Sequence, residues 1–125
     1  DATDNGVTLS APLAPNINHR ETVFGGSASA VAILAAWTLL HVRLTNADIR
    51  SRVVIQRNTM NYDLPITGTF SATARLPEDA QWENFLKMLM RKGRARITIS
   101  VTLHCGQETV GRLTGEFVAL GNLAQ

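Results

Sequence analysis

At 125 residues the chain has the length of one domain, and its 45% hydrophobic and 18% charged residues are typical of a folded globular protein. The formal net charge of +2 is too small to indicate nucleic acid as a partner. The single cysteine excludes an intramolecular disulfide and a cysteine-based metal centre, so we expect a reducing, cytoplasmic location. We predict a single domain over residues 1–125, with residues 1–10 polar and loose.

The most informative segment is residues 16–44, in which a polar loop leads through Gly25, Gly26 and Ser27 into an apolar helix. A helix start presents backbone N–H groups without intrahelical partners, and it is the positive end of the helix dipole. Two glycines there allow another molecule to approach the backbone closely. The segment therefore predicts a site for an anion, or for an oxygen that becomes negative during a reaction.

The helix itself is apolar over residues 28–40 except for Ser29 and Thr38, and we expect His41 and Arg43 to end that stretch. Such a stretch is shorter than the roughly 20 residues that a membrane-spanning helix needs, so we expect a core helix and no membrane partner. A helix that is apolar on nearly every face must be covered on nearly every face. In a chain this short, a curved sheet is the expected cover.

The remainder of the chain supplies that sheet. Four segments have the apolar pattern of strands, most clearly where apolar and polar residues alternate: residues 53–62, 70–76, 95–103 and 109–120. Between the second and third segments, apolar residues recur at the spacing of an amphipathic helix that ends at Gly93: Trp82, Phe85, Leu86 and Leu89. We therefore predict an α+β fold, with a curved antiparallel sheet around a long central helix plus one short amphipathic helix.

Four motifs suggest a family: LAPNINH at residues 13–19, TVFGGS at residues 22–27, Tyr62 with Pro65, and RKGRAR at residues 91–96. Together they resemble the hot-dog thioesterase-like family of the YiiD C-terminal type, over roughly residues 10–120. The resemblance implies the hot-dog fold and hydrolysis of an acyl-CoA or acyl-carrier-protein thioester. It implies no metal and no cofactor other than the CoA carried by the substrate.

The same resemblance assigns roles to residues. In related hot-dog thioesterases the glycine-rich helix start points backbone N–H groups at the thioester carbonyl, and Gly25, Gly26 and Ser27 hold that position here. Asn18 matches a loop asparagine that helps to hold the thioester or the attacking water. The resemblance also implies an acyl tunnel along the helix, lined by Phe24 and by three small residues: Ala28, Ala32 and Ala35.

The central helix lacks a carboxylate, whereas many Gly-Gly-type hot-dog thioesterases carry one about two turns into it. The replacement candidates for the general base are His19, Glu21 and Asp63. An imidazole titrates near neutral pH, which suits a general base. The alternative is a domain that binds acyl thioesters without cleaving them. A hot-dog hydratase or dehydratase is a third reading, which the acid-free helix disfavours.

One dense basic run lies at residues 91–96, and within it Arg91 and Arg94 are candidates to bind CoA phosphates or an acidic carrier protein. A solvated helix end is the alternative interpretation. Relatives form side-by-side dimers, often stacked into tetramers, with sites at the interface. Because exposed sheet edges and apolar patches favour pairing, we expect at least a homodimer.

Overall fold

The computed structural model of the protein describes residues 6–11, 25–64 and 68–121. Within those ranges the elements are, in chain order, β1 (Gly6–Ala11), α1 (Gly25–Asn46), β2 (Ser51–Tyr62), β3 (Phe70–Arg75), α2 (Asp79–Lys92), β4 (Arg94–Cys105) and β5 (Glu108–Gly121). The strands form one antiparallel sheet in the order β1-β3-β4-β5-β2. This confirms the predicted α+β architecture, including the long central helix and the short second one.

The first strand corrects an expectation. Residues 1–10 were expected to be loose, but Gly6–Ala11 pairs with β3 along its whole length. The side chain of Val7 is buried in the core, and the hydroxyls of Thr8 and Thr73 lie 2.9 Å apart. A strand of six residues with only two large apolar side chains is too short for its alternation to be recognised in the sequence. Pairing with β3 nevertheless holds it in the sheet.

The central helix α1 packs on one face of the sheet and contacts all five strands. Its buried side consists of alanines in the first half, which let the helix approach the strands closely, and of leucines in the second: Ala28, Ala32, Ala35, Ala36, Leu39, Leu40 and Leu44. The opposite side is open, with Leu34 53% exposed and Trp37 36% exposed. The expectation that the helix is covered on nearly every face is therefore wrong for this single chain.

The same helix continues beyond His41 and Arg43 to Asn46, because His41 lies on the open side and Arg43 lies over the ring of Trp82 at 5.1 Å. Residues 28–46 are long and apolar enough to cross a membrane by length and composition alone. Their packing against all five strands is that of a core helix.

The end of the second helix and the turn between β4 and β5 are both formed by glycines. Trp82, Phe85 and Leu89 of α2 are buried, and the helix ends at Gly93, whose φ of 77° is left-handed and whose N–H donates to the Leu89 carbonyl at 2.9 Å. Gly106 turns β4 into β5 with a φ of 64°. Left-handed backbone favours glycine, so both positions match the residue that the chain provides.

Candidate functional site

The start of α1 is the first part of the candidate site. The backbone of Gly25, Gly26 and Ser27 forms the first turn of the helix, as predicted. N–H groups in a first turn have no intrahelical carbonyl to bind, and that turn contains no Asp or Glu. The geometry therefore leaves backbone donors at the positive end of a 22-residue helix. Such donors can stabilise an oxygen that develops negative charge, which is the role predicted for this turn.

Four of the predicted site residues, Asn18, His19, Glu21 and Phe24, lie outside the described residues. Their assigned roles in holding the thioester, in base catalysis and in lining the acyl tunnel stay predictions.

Asp63 follows directly after β2. Its N–H donates to the Val110 carbonyl at 2.9 Å, and its Oδ2 lies 3.7 Å from Nε of Arg112. Arg112 is an exposed residue of β5 that alternates with the buried Leu113, so it projects from the face of the sheet opposite α1. The carboxylate of Asp63 is thus held on the outer side of the sheet within this chain.

Arg91 and Arg94 are exposed on either side of the α2 end at Gly93. Arg94 of β4 pairs in register with Leu120 of β5. Leu120 pairs in turn with Arg52, which lies at the start of β2, the strand that follows α1. The two arginines therefore lie near the C-terminal end of α1. Because a helix of this length extends about 33 Å at 1.5 Å per residue, they are remote from its glycine start in the same chain.

The three alanines expected in an acyl tunnel are packed in the core. Ala28, Ala32 and Ala35 are each 0% exposed, so no open tunnel runs beside them in the described part of the chain. An apolar groove of about 490 Å³ lies instead on the open side of α1, and its lining consists of Ala30, Ile33, Leu34, Trp37, Ile55 and Phe117. Ala30, Leu34 and Trp37 recur at i, i+4 and i+7 and so share one side of α1, but the sequence does not mark that side as the open one because the helix is apolar all round.

The same side of α1 carries a histidine that the sequence analysis left without a role. The ring of His41 stacks on Trp37 with centroids 4.9 Å apart and planes at 9°. The Trp37 indole N–H donates to the Val53 carbonyl at 3.1 Å, which fixes the pair against β2. A second cavity of about 420 Å³ begins there, with His41, Asp48 and Arg50 among its lining residues. His41 thus lies between the apolar groove and a cavity that charged residues line in part.

Comparison with known proteins gives a consistent result. The model of the family described as "Putative thioesterase (yiiD_Cterm)" matches residues 1–121. A structure of a protein of unknown function from Chlorobaculum tepidum TLS is 28% identical with a TM-score of 0.88, covering 94% of this chain and 78% of that chain. A Shewanella oneidensis structure described as a "putative thioesterase" is 25% identical with a TM-score of 0.84, covering 96% and 80%.

A Bacillus halodurans protein solved with CoA shares the fold at 20% identity and a TM-score of 0.71, covering 91% of this chain and 67% of that one. No curated protein matches the sequence. The likenesses to the solved structures establish the hot-dog fold, in which the curved sheet of five strands packs against α1.

Proposed function

Because the chain belongs to the YiiD C-terminal thioesterase-like family, we propose that it hydrolyses the thioester of an acyl-CoA or of an acyl carrier protein. The observation that carries the proposal is the start of α1, where Gly25, Gly26 and Ser27 present backbone N–H groups that have no intrahelical acceptor, on a helix without an acidic first turn. The CoA-bound Bacillus halodurans structure of the same fold supports CoA esters as the first substrates to test.

The chemistry requires only water, a base and donors for the oxyanion. Water attacks the thioester carbon as the base takes its proton, and the carbonyl oxygen becomes negative in the tetrahedral intermediate. Backbone N–H groups at the start of α1 donate to that oxygen, a contribution of about 10²–10³ in rate for one preorganised donor. Collapse of the intermediate breaks the carbon–sulfur bond, and the thiolate leaves with the proton that the base returns.

The base is to be found among His19, Glu21 and Asp63. We expect alanine at the residue that acts as base to lower kcat/KM for acyl-CoA by about 10²–10⁴-fold, and alanine at the other two to change it by less than about tenfold. Asn18→Ala is expected to lower it as well, because Asn18 is proposed to hold the thioester or the water. Steady-state thiol release compares the four variants with the wild type. Equal, small effects in all four would contradict a base in this group.

The pH dependence separates two of the candidates. A base works in its deprotonated form, so activity falls as pH drops through its pKa. With a histidine base the rate falls at a higher pH than with a glutamate base, because the ordinary pKa of an imidazole lies above that of a carboxyl group. A profile of kcat/KM against pH in the wild type, repeated in His19→Ala, identifies which of the two applies. If His19 is the base, we expect His19→Ala to lose the inflection that the wild type shows toward neutral pH.

The proposed functional unit is a homodimer formed side by side through β2 and the open side of α1. β2 is an edge strand of 12 residues, and among the described strands it pairs with β5 alone. Beside it, Leu34 and Trp37 leave an apolar stripe on α1 that a second copy would cover. Since Gly25 and His41 are equally spaced from Ile33, a two-fold axis near Ile33 would place the glycine turn of one subunit opposite His41 of the other. Stacking of such dimers into tetramers is part of the same proposal.

Adding a charge to the stripe is the test of the dimer. Leu34→Glu is expected to convert a wild-type dimer into a monomer at micromolar concentration, because a carboxylate would be buried without a partner at the interface. Light scattering measures the mass. Met90→Glu, at an exposed apolar residue of α2, is the matched control and should leave the dimer intact. A monomeric wild type, or a dimer that survives Leu34→Glu, would refute this arrangement.

A second function, binding of acyl thioesters without cleavage, is favoured by one observation. The sequence of α1 contains no Asp or Glu. A binding domain would use the same helix start and the same interface but would lack a base. It predicts acyl-CoA binding with no thiol release.

A further inference from the structure

The outer face of the sheet, opposite α1, gathers arginines that are far apart in the sequence. Outward positions alternate with buried ones along β3, β4 and most of β5, and the register with β5 identifies the outward positions of β2. Six arginines occupy such positions on four strands, and we call this surface the arginine face: Arg52, Arg57, Arg75, Arg94, Arg96 and Arg112. It holds six of the twelve basic residues of the chain, whose net charge is only +2.

The strand register places these arginines close enough to act together. Arg52 and Arg94 both align with Leu120, from either side of β5. Strands lie about 4.8 Å apart, so the two residues are separated by about 10 Å, which is close to the screening length at physiological salt. Along the strands the face extends from Arg94 to Arg112, about 26 Å at 3.3 Å per residue.

Acidic residues on this face neutralise only some of its arginines. Glu116 is the one acidic residue at an outward strand position in the described part of the chain, and its carboxylate lies 3.8 Å from Arg57 and 3.9 Å from Arg96. Arg112 meets Asp63 as described above. Within the described ranges, Arg52 and Arg75 are in no ion pair. Clustered like charges repel and cost stability, so a partner of opposite charge would relieve a real penalty.

We propose that the arginine face docks an acidic protein surface, that of the carrier protein whose acyl thioester the chain hydrolyses. This inference rests on the proposed function, and of the two proposed substrates it favours the acyl carrier protein over acyl-CoA. The phosphates of one CoA can pair with two or three guanidinium groups. Six arginines spread over about 26 Å suit instead the extended acidic surface of a macromolecule. No Phe, Tyr or Trp stands at an outward position of the described strands, so the stacking platform that single-stranded nucleic acid needs is missing there.

The test compares one acyl group on two carriers, as its CoA ester and on a purified acyl carrier protein. We expect Arg52→Glu/Arg75→Glu to lower kcat/KM for the acyl carrier protein by about tenfold or more while kcat/KM for the CoA ester stays within about twofold. Rising salt should weaken the wild-type rate on the carrier more than on the CoA ester. Lys87→Glu on α2, compared with Arg75→Glu alone, makes the same change in net charge outside both the face and the basic run at residues 91–96, and it is the matched control.

The outcomes separate this inference from the proposed function. No thiol release from either substrate refutes the hydrolase, and anisotropy of a labelled acyl carrier protein still tests docking. Equal losses on both substrates, an effect of the α2 control as large as that of the face variant, or unchanged use and binding of the carrier would each overturn docking at this face. Binding of duplex DNA that only the face variant loses, with carrier kinetics unchanged, would assign the face to nucleic acid instead.

Discussion

Replacing Gly26 with proline is expected to lower kcat/KM for an acyl-CoA substrate by about 10²–10³-fold. Gly26 is the second residue of α1, and its N–H is one of the donors proposed to bind the oxyanion. Proline lacks that N–H, yet the first turn of a helix tolerates proline because its N–H groups have no intrahelical acceptor. The variant thus removes a donor while keeping the helix.

Gly26→Ala is the matched control, because alanine adds a side chain but keeps the N–H. We expect the alanine variant to lose much less activity than the proline variant, with the two melting temperatures close to each other. Steady-state thiol release and thermal unfolding provide both numbers. Equal losses in the two variants would mean that crowding of the substrate, rather than the missing donor, explains the effect.

Replacing Phe117 with alanine is expected to lower the free energy of unfolding by about 3–5 kcal/mol, a large part of the 5–15 kcal/mol typical of a domain. Phe117 is 0% exposed on β5, in register with Ile97 on one side and Ile55 on the other. Its ring covers Gly115, where an added Cβ would lie 2.8 Å from the ring. Removing the ring leaves a cavity that neighbouring strands cannot readily fill.

Val118→Ala is the control for that experiment, because Val118 is the next residue along β5 and projects to the outer face, half-buried. Its cost is expected to be about 1 kcal/mol or less. Urea denaturation at one fixed protein concentration measures both variants, since a dimer makes stability depend on concentration. A loss below about 1 kcal/mol for Phe117→Ala would show that this part of the core repacks.

Strong local patterns made most of the fold predictable. The alternation over residues 95–103 reappears as strictly alternating burial in β4, and Gly93 ends α2 as expected. Residues 6–10 of β1 were expected to be loose because they carry little apolar signal of their own. The end of α1 was placed too early because His41 and Arg43 were read as a stop, although a helix with one open side accommodates polar residues there.

The site was less predictable, because it depends on which side of α1 faces the sheet. The sequence of that helix is apolar all round, so the pattern alone does not identify the packed side. In the structure the small alanines face the sheet, and the bulky Leu34 and Trp37 form the open groove. The arginine face could not be predicted from the sequence for a related reason. Only the register of the strands brings Arg52, Arg75 and Arg94 onto one surface.

The most direct test of the account is thiol release by the wild-type protein from a panel of acyl-CoA esters, from short to long and aromatic, with the melting temperature measured on the same esters. A thioesterase predicts turnover of at least one ester well above the uncatalysed rate. Esters that raise the melting temperature without any thiol release would contradict hydrolysis and establish the domain as an acyl-thioester binder.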